Sequence, residues 1–354
     1  MASTFTEERS AKATLRIREL LKDMPVLVAD YIRSIETSTS ALTRLNYVYD
    51  MRLFLRFLHE EQVDFGDKEP RDFNENDFGR VSLRQMEMYQ SYLVQYVSAD
   101  SNKSETPIIV RNANVSISRK IASLRSFYKY LFKHGYIQSN EAAKLSMPKI
   151  TEKAFVYLER DEINKMLDAI DSGEGFSDRQ KAHLEHVRTR DHAIFLMLTG
   201  CGIRESELVG LNIEDIDLNE SKFLVTRKGG NQAILYLPDS VASALKDWMR
   251  QREEIIPLPG HESALFLSRE RARISVRAVQ VLVKKYASVS LTLNQKKIAP
   301  HRLRATYATN LYRKTNDIYA VSKTLGHKSI ETVRKYARES DDTFRKASQD
   351  VDWV

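Results

Sequence analysis

The sequence predicts a mainly α-helical protein of two domains, with a small antiparallel sheet in the second domain. Three observations support this fold class. The chain has 354 residues, more than one domain usually holds, since most domains run to about 100–200 residues. Apolar residues recur at helical spacing through the first 145 residues, where no segment is a convincing strand. Further on, two short β-type segments flank the glycine pair at 229 and 230.

Two helices of the first domain stand out. One follows the sequence STS at 38–40 and places apolar residues at offsets of 4, 7, 8 and 11 from Tyr47. The other covers ISRKIASLRSFYKYLFKHG and ends at Gly135, in the position where glycine commonly stops a helix. Basic residues lie away from the apolar side of both helices. They are Arg44, Arg52, Arg56, Arg119, Lys120, Arg125 and Lys129.

These basic residues and the net charge of +7 favour a polyanionic partner, with nucleic acid first. A positive helix face is often only solvated, and that alternative stays open. Asn and Ser near the starts of the two helices add groups that hydrogen-bond to phosphates. We therefore predict that the seven residues contact the DNA backbone.

The helical pattern ends at Pro148, within the polar stretch NEAAKLSMPKITEKAF. We predict a helical DNA-binding domain at 1–147, a linker at 148–154 and a second domain at 155–354. In the second domain, SKFLVTR and QAILYLP enclose the sequence KGGN. This pattern predicts a β-hairpin, because glycine readily adopts the positive φ that tight hairpin turns need.

Composition argues against several classes of protein. Cys201 is the only cysteine, which excludes an internal disulfide and a multi-cysteine metal site and suits a reducing compartment. We expect its thiol to be buried. The N-terminal segment has acids and no apolar stretch, and the run AIFLML is far shorter than the roughly 20 residues that span a bilayer. We expect a cytoplasmic protein that is neither exported nor inserted into a membrane.

Four separated segments hold the candidates for chemistry: TGCGIRESELVGL, TRKGGNQ, APHRLRATYATNL and LGHKSIETVRKYAR. Singly, each has a plain structural interpretation. Arg204 and Glu207 are three residues apart on a predicted helix, as in an ordinary ion pair. His301 and Arg304 have the same spacing behind Pro300, a residue that often begins a helix.

Together, the segments resemble in order and spacing the catalytic domain of the tyrosine site-specific recombinases, the family of the Xer proteins, Cre and the phage integrases. The resemblance covers roughly residues 155–340. TGCGIRESELVGL resembles the first-arginine box, HRLRATYATNL the H-x-x-R box, and LGHKSIETVRKY the L-G-H box that ends in the nucleophile. The N-terminal part is similar, more loosely, to the helical, SAM-like core-binding domain of the Xer-like and integrase branch.

The resemblance implies an enzyme that cleaves and rejoins DNA strands through a 3′-phosphotyrosine intermediate on Tyr336. A phenol with a pKa near 10 is a poor nucleophile at neutral pH, so it needs cations and a base close by. By resemblance, His301 takes the phenol proton and His327 adds a donor to the phosphate. Arg204 and Arg304 are suited to the phosphate because a guanidinium can bind two of its oxygens at once.

Two further roles follow from the resemblance. Lys228 is the general acid that protonates the leaving 5′ oxygen, and its pKa would need to be lowered by cationic neighbours. Glu207 orients the guanidinium of Arg204. Because the covalent bond to tyrosine conserves the energy of the phosphodiester, the reaction needs no ATP, and no metal or other cofactor is implied.

The implied partner is double-stranded DNA with short inverted-repeat recombination sites, bound by a homo-tetramer or by a hetero-tetramer with a related recombinase. Near the end of the chain, Phe344, Ala347 and Val351 form an apolar stripe at helical spacing. The resemblance implies that this tail, residues 341–354, docks on a neighbouring protomer. Packing of the tail on its own domain is the alternative.

Other functions compete with this interpretation. A type IB topoisomerase uses a similar residue set to relax supercoils, and a sequence-specific DNA-binding protein needs no active site. The acids of NIEDIDLNES suggest a two-metal nuclease, although they flank a predicted turn and strand. His183, His186 and His192 suggest zinc, although no cysteine is near them. The target sequence, and the choice between chromosome-dimer resolution and mobile-element integration, excision or inversion, stay open.

Overall fold

The computed structural model describes residues 5–98, 107–151, 157–227, 229–291 and 298–326. Contacts divide the chain into two compact units, residues 1–153 and 154–354. Helices dominate both units, and the sheets among the described residues are small and antiparallel. The predicted fold class is therefore confirmed.

The first unit is a helical bundle with two short strands. Its described helices are α1 (Phe5–Leu20), α2 (Val26–Ser34), α3 (Ala41–Glu61), α4 (Glu75–Arg80), α5 (Leu83–Tyr92) and α6 (Asn114–Lys133). α3 begins where STS predicted, because the Ser40 hydroxyl accepts a hydrogen bond from the Thr43 backbone N–H. α6 is followed by Gly135 at φ +75°, as expected for a glycine beyond the last turn.

α3 and α6 pack against each other in the core of this unit. The apolar positions predicted from their spacing are buried, among them Phe54 and Leu58 on α3 and Ile121 and Leu124 on α6. Aromatic rings fill the space around them; Phe54 contacts the ring of Tyr89 edge-on at 5.0 Å between centroids. Burial of these side chains supplies the main stabilisation of the bundle.

A hairpin in this unit was not predicted. β1 (Gln95–Val97) pairs in antiparallel fashion with β2 (Ile109–Arg111). Each strand has three residues, of which only the middle one is half-buried. A segment this short gives too few alternations for a period of two to be recognised, so the expectation of a strand-free first domain is wrong.

α4 begins with a reciprocal cap between Asn74 and Asp77. The Asp77 carboxylate is buried and accepts hydrogen bonds from the Asn74 backbone N–H (2.8 Å), from Arg80 (2.9 Å) and from the Lys68 ammonium. Burial alone would raise the pKa of Asp77, but the hydrogen bonds from Lys68 and the Asn74 backbone outweigh it, so the pKa lies below its usual range.

The second unit combines helices with a three-stranded sheet. Its described helices are α7 (Arg160–Ser172), α8 (Asp178–Gly200), α9 (Glu205–Gly210), α10 (Asp239–Glu253), α11 (Val276–Ser290), α12 (Pro300–Thr315) and α13 (Ile318–Leu325). α8 packs against α7, α10 and α12 and is central to the unit. Its first half includes KAHLEHVRTRDH, where the ring of His192 contacts the Asp171 carboxylate at 2.6 Å.

The predicted hairpin is confirmed. β3 (Ile216–Asp217) pairs with β4 (Lys222–Thr226), and β4 pairs with β5 (Gln232–Tyr236), all antiparallel. Thr226 lies opposite Gln232, and the Arg227 N–H donates to the Asn231 carbonyl at 2.7 Å. Gly229 and Gly230 have φ of +94° and +83°, values that glycine adopts more readily than any other residue.

Across the described residues, no helix combines the length and apolar character needed to cross a membrane. The Cys201 side chain is buried, as predicted, and burial raises the pKa of its thiol to about 12.

Candidate active site

Arg204 lies at the start of α9, directly after the turn that ends α8. Its backbone N–H donates to Glu207 Oε2 at 2.8 Å, and its Nη1 donates to Glu207 Oε1 at 2.6 Å. The Glu207 side chain is only 4% exposed. One buried carboxylate therefore fixes both the first turn of α9 and the guanidinium of Arg204.

Gly202 allows α12 to approach this turn. Its φ is +62°, and a Cβ at this position would overlap the ring of Tyr307 on α12. The Gly202 carbonyl accepts a hydrogen bond from Arg304 Nη1 at 2.7 Å, and the Leu325 carbonyl accepts one from Arg304 Nη2 at 2.5 Å. The buried Arg304 thus joins the turn before α9 to the last residue of α13.

The two arginines meet at Glu207. Arg304 Nη1 is 3.7 Å from Glu207 Oε2, on the carboxylate that also binds Arg204. The Arg304 side chain is 9% exposed, whereas that of Arg204 is 35% exposed. Two guanidiniums around one carboxylate leave an excess positive charge, and the guanidinium of Arg204 is the one accessible to solvent. This arrangement is suited to binding an anion.

His301 lies on the same helix as Arg304, in its first turn. Pro300 occupies the first helical position, as predicted, and His301 is exposed. Two further contacts join segments of this unit. The Thr306 hydroxyl accepts from the Leu158 N–H at 2.8 Å, and Gln280 on α11 donates to Glu205 on α9 at 2.9 Å. Neither of these polar contacts was found from the sequence, because each joins segments far apart along the chain.

Three of the predicted catalytic residues, Lys228, His327 and Tyr336, lie outside the described residues, as does the tail at 341–354. Their roles stay predictions. Arg227 directly precedes Lys228, and Gly326 directly precedes His327. Arg227 Nη2 donates to the Thr324 carbonyl at 2.7 Å, and the next carbonyl, that of Leu325, accepts from Arg304. Arg227 was not predicted as a site residue, although it directly precedes Lys228 at the hairpin turn.

The basic residues of the first unit do not form one open face. Arg44 is buried and paired with Glu36, which leaves little of its guanidinium accessible to a phosphate. Arg56 is also held within the protein, donating at 2.7 Å to the Tyr92 hydroxyl and to the Val97 carbonyl. Sequence spacing showed the side of the helix but not the acids and carbonyls that bind these side chains.

The four basic residues of α6 differ in their contacts and exposure. Arg125 donates to the carbonyls of Ala142, Ala143 and Leu145 and so fixes the following turn on the helix. Arg119 binds the buried Asp50 carboxylate through two hydrogen bonds of 2.5 and 2.6 Å. Lys120 is half-buried and Lys129 is exposed. Contact of all seven basic residues with DNA stays a prediction, although Arg44, Arg56 and Arg125 have partners within the protein.

Two of the acids that suggested a metal have local roles. Asp215 accepts from the Asn212 N–H at 2.8 Å, and Asp217 accepts from the Glu220 N–H at 3.0 Å, so both shape turns. In the part of the chain that the structure describes, no group of three His, Cys, Asp or Glu side chains is placed to hold a metal ion.

A helical unit followed by a mixed unit, with arginines from two motifs on one carboxylate, defines a tyrosine-recombinase type of protein. The profile described as the phage integrase family matches residues 156–343. Tyrosine recombinase XerC of Caldanaerobacter subterraneus subsp. tengcongensis is 35% identical to this chain over 94% of the chain and 88% of that protein. The chain therefore belongs to the phage integrase family.

Solved structures have the same fold. The XerH site-specific recombinase bound to difH substrate, in a pre-cleavage complex, matches with a TM-score of 0.59 and 20% identity, covering 87% of this chain and 79% of that chain. A lambda integrase tetramer bound to a Holliday junction matches with a TM-score of 0.59 and 17% identity, covering 88% and 76%. The predicted family and the predicted class of enzyme, a tyrosine recombinase that breaks and rejoins DNA, are confirmed.

Proposed function

We propose that this chain cleaves and rejoins DNA at short inverted-repeat sites through a 3′-phosphotyrosine intermediate formed on Tyr336. The observation that supports this proposal is the meeting of Arg204 and Arg304, from two distant motifs, on the buried carboxylate of Glu207. An ordinary surface ion pair has no need of a second guanidinium from another helix.

In the proposed cleavage step, the Tyr336 oxygen attacks phosphorus and the bond to the 5′ oxygen breaks. Negative charge on the non-bridging oxygens increases in the transition state, and fixed donors stabilise it best. Arg204 and Arg304 supply such donors, because Glu207 and the carbonyls of Gly202 and Leu325 already hold their guanidiniums in place. No reorganisation is then needed at the moment of reaction.

Two proton transfers complete the step. His301 accepts the proton of the Tyr336 hydroxyl, and Lys228 donates a proton to the leaving 5′ oxygen. His327 adds a hydrogen-bond donor to the phosphate. In rejoining, a 5′ hydroxyl attacks the phosphotyrosine, the bond to Tyr336 breaks, and the protons move in the reverse direction. The number of phosphoester bonds is unchanged, so no energy source is required.

The proposed partner is double-stranded DNA, bound by four protomers that exchange strands between two duplexes. Two relatives support this proposal by what they bind: difH substrate for XerH, and a Holliday junction for the lambda integrase tetramer. We propose that residues 341–354 join neighbouring protomers. Deletion of these residues should leave binding to a single site intact and impair synapsis; unchanged strand exchange by the truncated protein would contradict this role.

A covalent adduct tests the central proposal. Duplexes selected from randomised DNA for binding are nicked next to the cleavage position, so that the released fragment diffuses away and the adduct accumulates. Wild type should give a protein–DNA band on a denaturing gel with EDTA present, and Tyr336→Phe should give none. An adduct with both proteins would refute the nucleophile. Cleavage only with added metal would indicate a nuclease, and plasmid relaxation without recombinant products a topoisomerase.

A further inference from the structure

Arg227 connects the β4–β5 hairpin to the end of α13. It is the first residue after β4, and its Nη2 donates to the Thr324 carbonyl at 2.7 Å. The guanidinium lies so close to Gly326 that a Cβ there would overlap Arg227 Nη1. Gly326 has a φ of +61°, so both its conformation and this close approach require glycine.

Formation of this contact removes much of the Arg227 guanidinium from water, which costs free energy. Arg227 Nε and Nη1 are buried, and neither has a hydrogen-bond partner among the described residues. Burial lowers the pKa of the guanidinium, and the nearby Arg204 charge adds to the effect, while Glu207 opposes it. A guanidinium at a hairpin turn with no role would be more stable if it turned to water, because each buried donor without a partner costs free energy. Docking on α13 therefore needs a reason.

The reason we infer for this contact comes from the residues that follow Arg227 and Gly326 in the sequence. Arg227 directly precedes Lys228, and Gly326 directly precedes His327. Arg304 donates to the Leu325 carbonyl, so two arginines from different elements bind successive carbonyls at the end of α13. These carbonyls lie at the negative end of the helix dipole, which favours cations there.

We propose that Arg227 is a positioning residue that holds the hairpin against the end of α13 and thereby sets where the proposed general acid, Lys228, stands relative to the phosphate site. This inference rests on the proposed function. Arg227 itself contacts no reacting atom; it acts through the residue that follows it. Misplacement of a reacting group by about 1 Å can cost about 100-fold in rate.

The test compares two leaving groups. One nicked substrate has the natural 5′ oxygen at the scissile bond, and the other has sulfur there, which leaves as a thiolate and needs little proton donation. Arg227→Ala and Arg227→Met, which keeps the apolar stem, should slow cleavage of the oxygen substrate by about 10- to 100-fold and of the sulfur substrate by less than about 3-fold. Lys222→Ala, at the far end of the same strand, is the control, and it should match wild type on both substrates.

Three results would overturn the inference. Equal slowing on both substrates would mean that Arg227 supports the phosphate site as a whole. Wild-type rates in both Arg227 variants would mean that the contact with α13 has no catalytic role. Loss of the thermal unfolding transition in both variants would make Arg227 a folding residue. Failure of the proposed function gives a different signature, because wild type itself would then form no adduct on either substrate.

Discussion

Replacement of Glu207 by glutamine tests whether this carboxylate organises the arginine pair. Glutamine keeps the size of the side chain and can still accept a hydrogen bond from the Arg204 backbone N–H, so α9 should begin as before. What it removes is the negative charge beside Arg204 Nη1 at 2.6 Å and Arg304 Nη1 at 3.7 Å. We expect the Arg204 guanidinium to lose its fixed orientation toward the phosphate, whereas the carbonyls of Gly202 and Leu325 still hold Arg304.

The size of the effect follows from these contacts. Glutamine has a single acceptor oxygen, so when that oxygen keeps the bond from the Arg204 backbone N–H, the amide NH2 faces Arg204 Nη1 and the second bond is lost. A hydrogen bond to a charged group contributes about 1.5–3 kcal/mol, which is the size of the loss at the guanidinium. The longer contact with Arg304 adds a smaller amount. If most of this loss is felt in the transition state, cleavage slows by about 10- to 100-fold, which corresponds to about 1.4–2.8 kcal/mol.

The assay separates binding from chemistry. Single-turnover cleavage of nicked DNA should fall in Glu207→Gln, while the dissociation constant for the same DNA should stay equal or decrease, because a negative charge near the phosphate is removed. Glu205→Gln is the matched control: it lies on the same helix and binds Gln280 rather than an arginine. Cleavage by Glu207→Gln within twofold of wild type would show that the carboxylate does not organise the arginine pair, and so would a loss that only follows weaker DNA binding.

Three predictions concern the scaffold. Gly202→Ala should lower the free energy of unfolding by about 2–5 kcal/mol, because alanine is strained at positive φ and its Cβ would overlap an aromatic ring. Gly229→Ala, which has the same strain but open space around it, should lower it by about 1–2 kcal/mol. Equal losses in the two variants would contradict this. Asp77→Asn should lower the free energy of unfolding by about 2 kcal/mol at pH 7. Because the pKa of Asp77 is depressed in the folded protein, the difference from wild type should shrink as the pH falls below about 4 in urea titrations. Asp72→Asn, at an exposed position, is the control and should change the free energy of unfolding little at pH 7. The Cys201 thiol, with a pKa of about 12, should react with a thiol reagent at pH 8 roughly 1,000-fold more slowly than in the unfolded chain, and a fast native reaction would show that the thiol is accessible.

Helix boundaries and the hairpin could be predicted because their determinants are local. The Ser40 cap, the glycine at 135 and the pair at 229 and 230 each set backbone geometry within a few residues. β1 and β2 escaped prediction because their stability depends on pairing across an intervening segment rather than on their own three residues.

The partners of the arginines could not be predicted, because they come from distant segments. Spacing alone placed Arg44 beside Arg52 on a basic side of α3, but the Glu36 carboxylate reaches Arg44 from outside that helix. Arg125 likewise binds carbonyls of a turn about 20 residues further on. In the second unit, the motif resemblance placed Arg204, Glu207 and Arg304 in one site, whereas it said nothing of Arg227 or of the carbonyls of α13.

The charge balance at Glu207 explains why this site can be stable before any DNA arrives. Three guanidiniums, those of Arg204, Arg227 and Arg304, lie near one described carboxylate, and repulsion among them would open the site if each depended on a phosphate for a partner. Backbone carbonyls of Gly202, Thr324 and Leu325 take up hydrogen bonds of Arg304 and Arg227 without neutralising their charge. The positive charge therefore remains available to an anion while the donors are already fixed, and this is the condition under which electrostatic stabilisation of a transition state is largest.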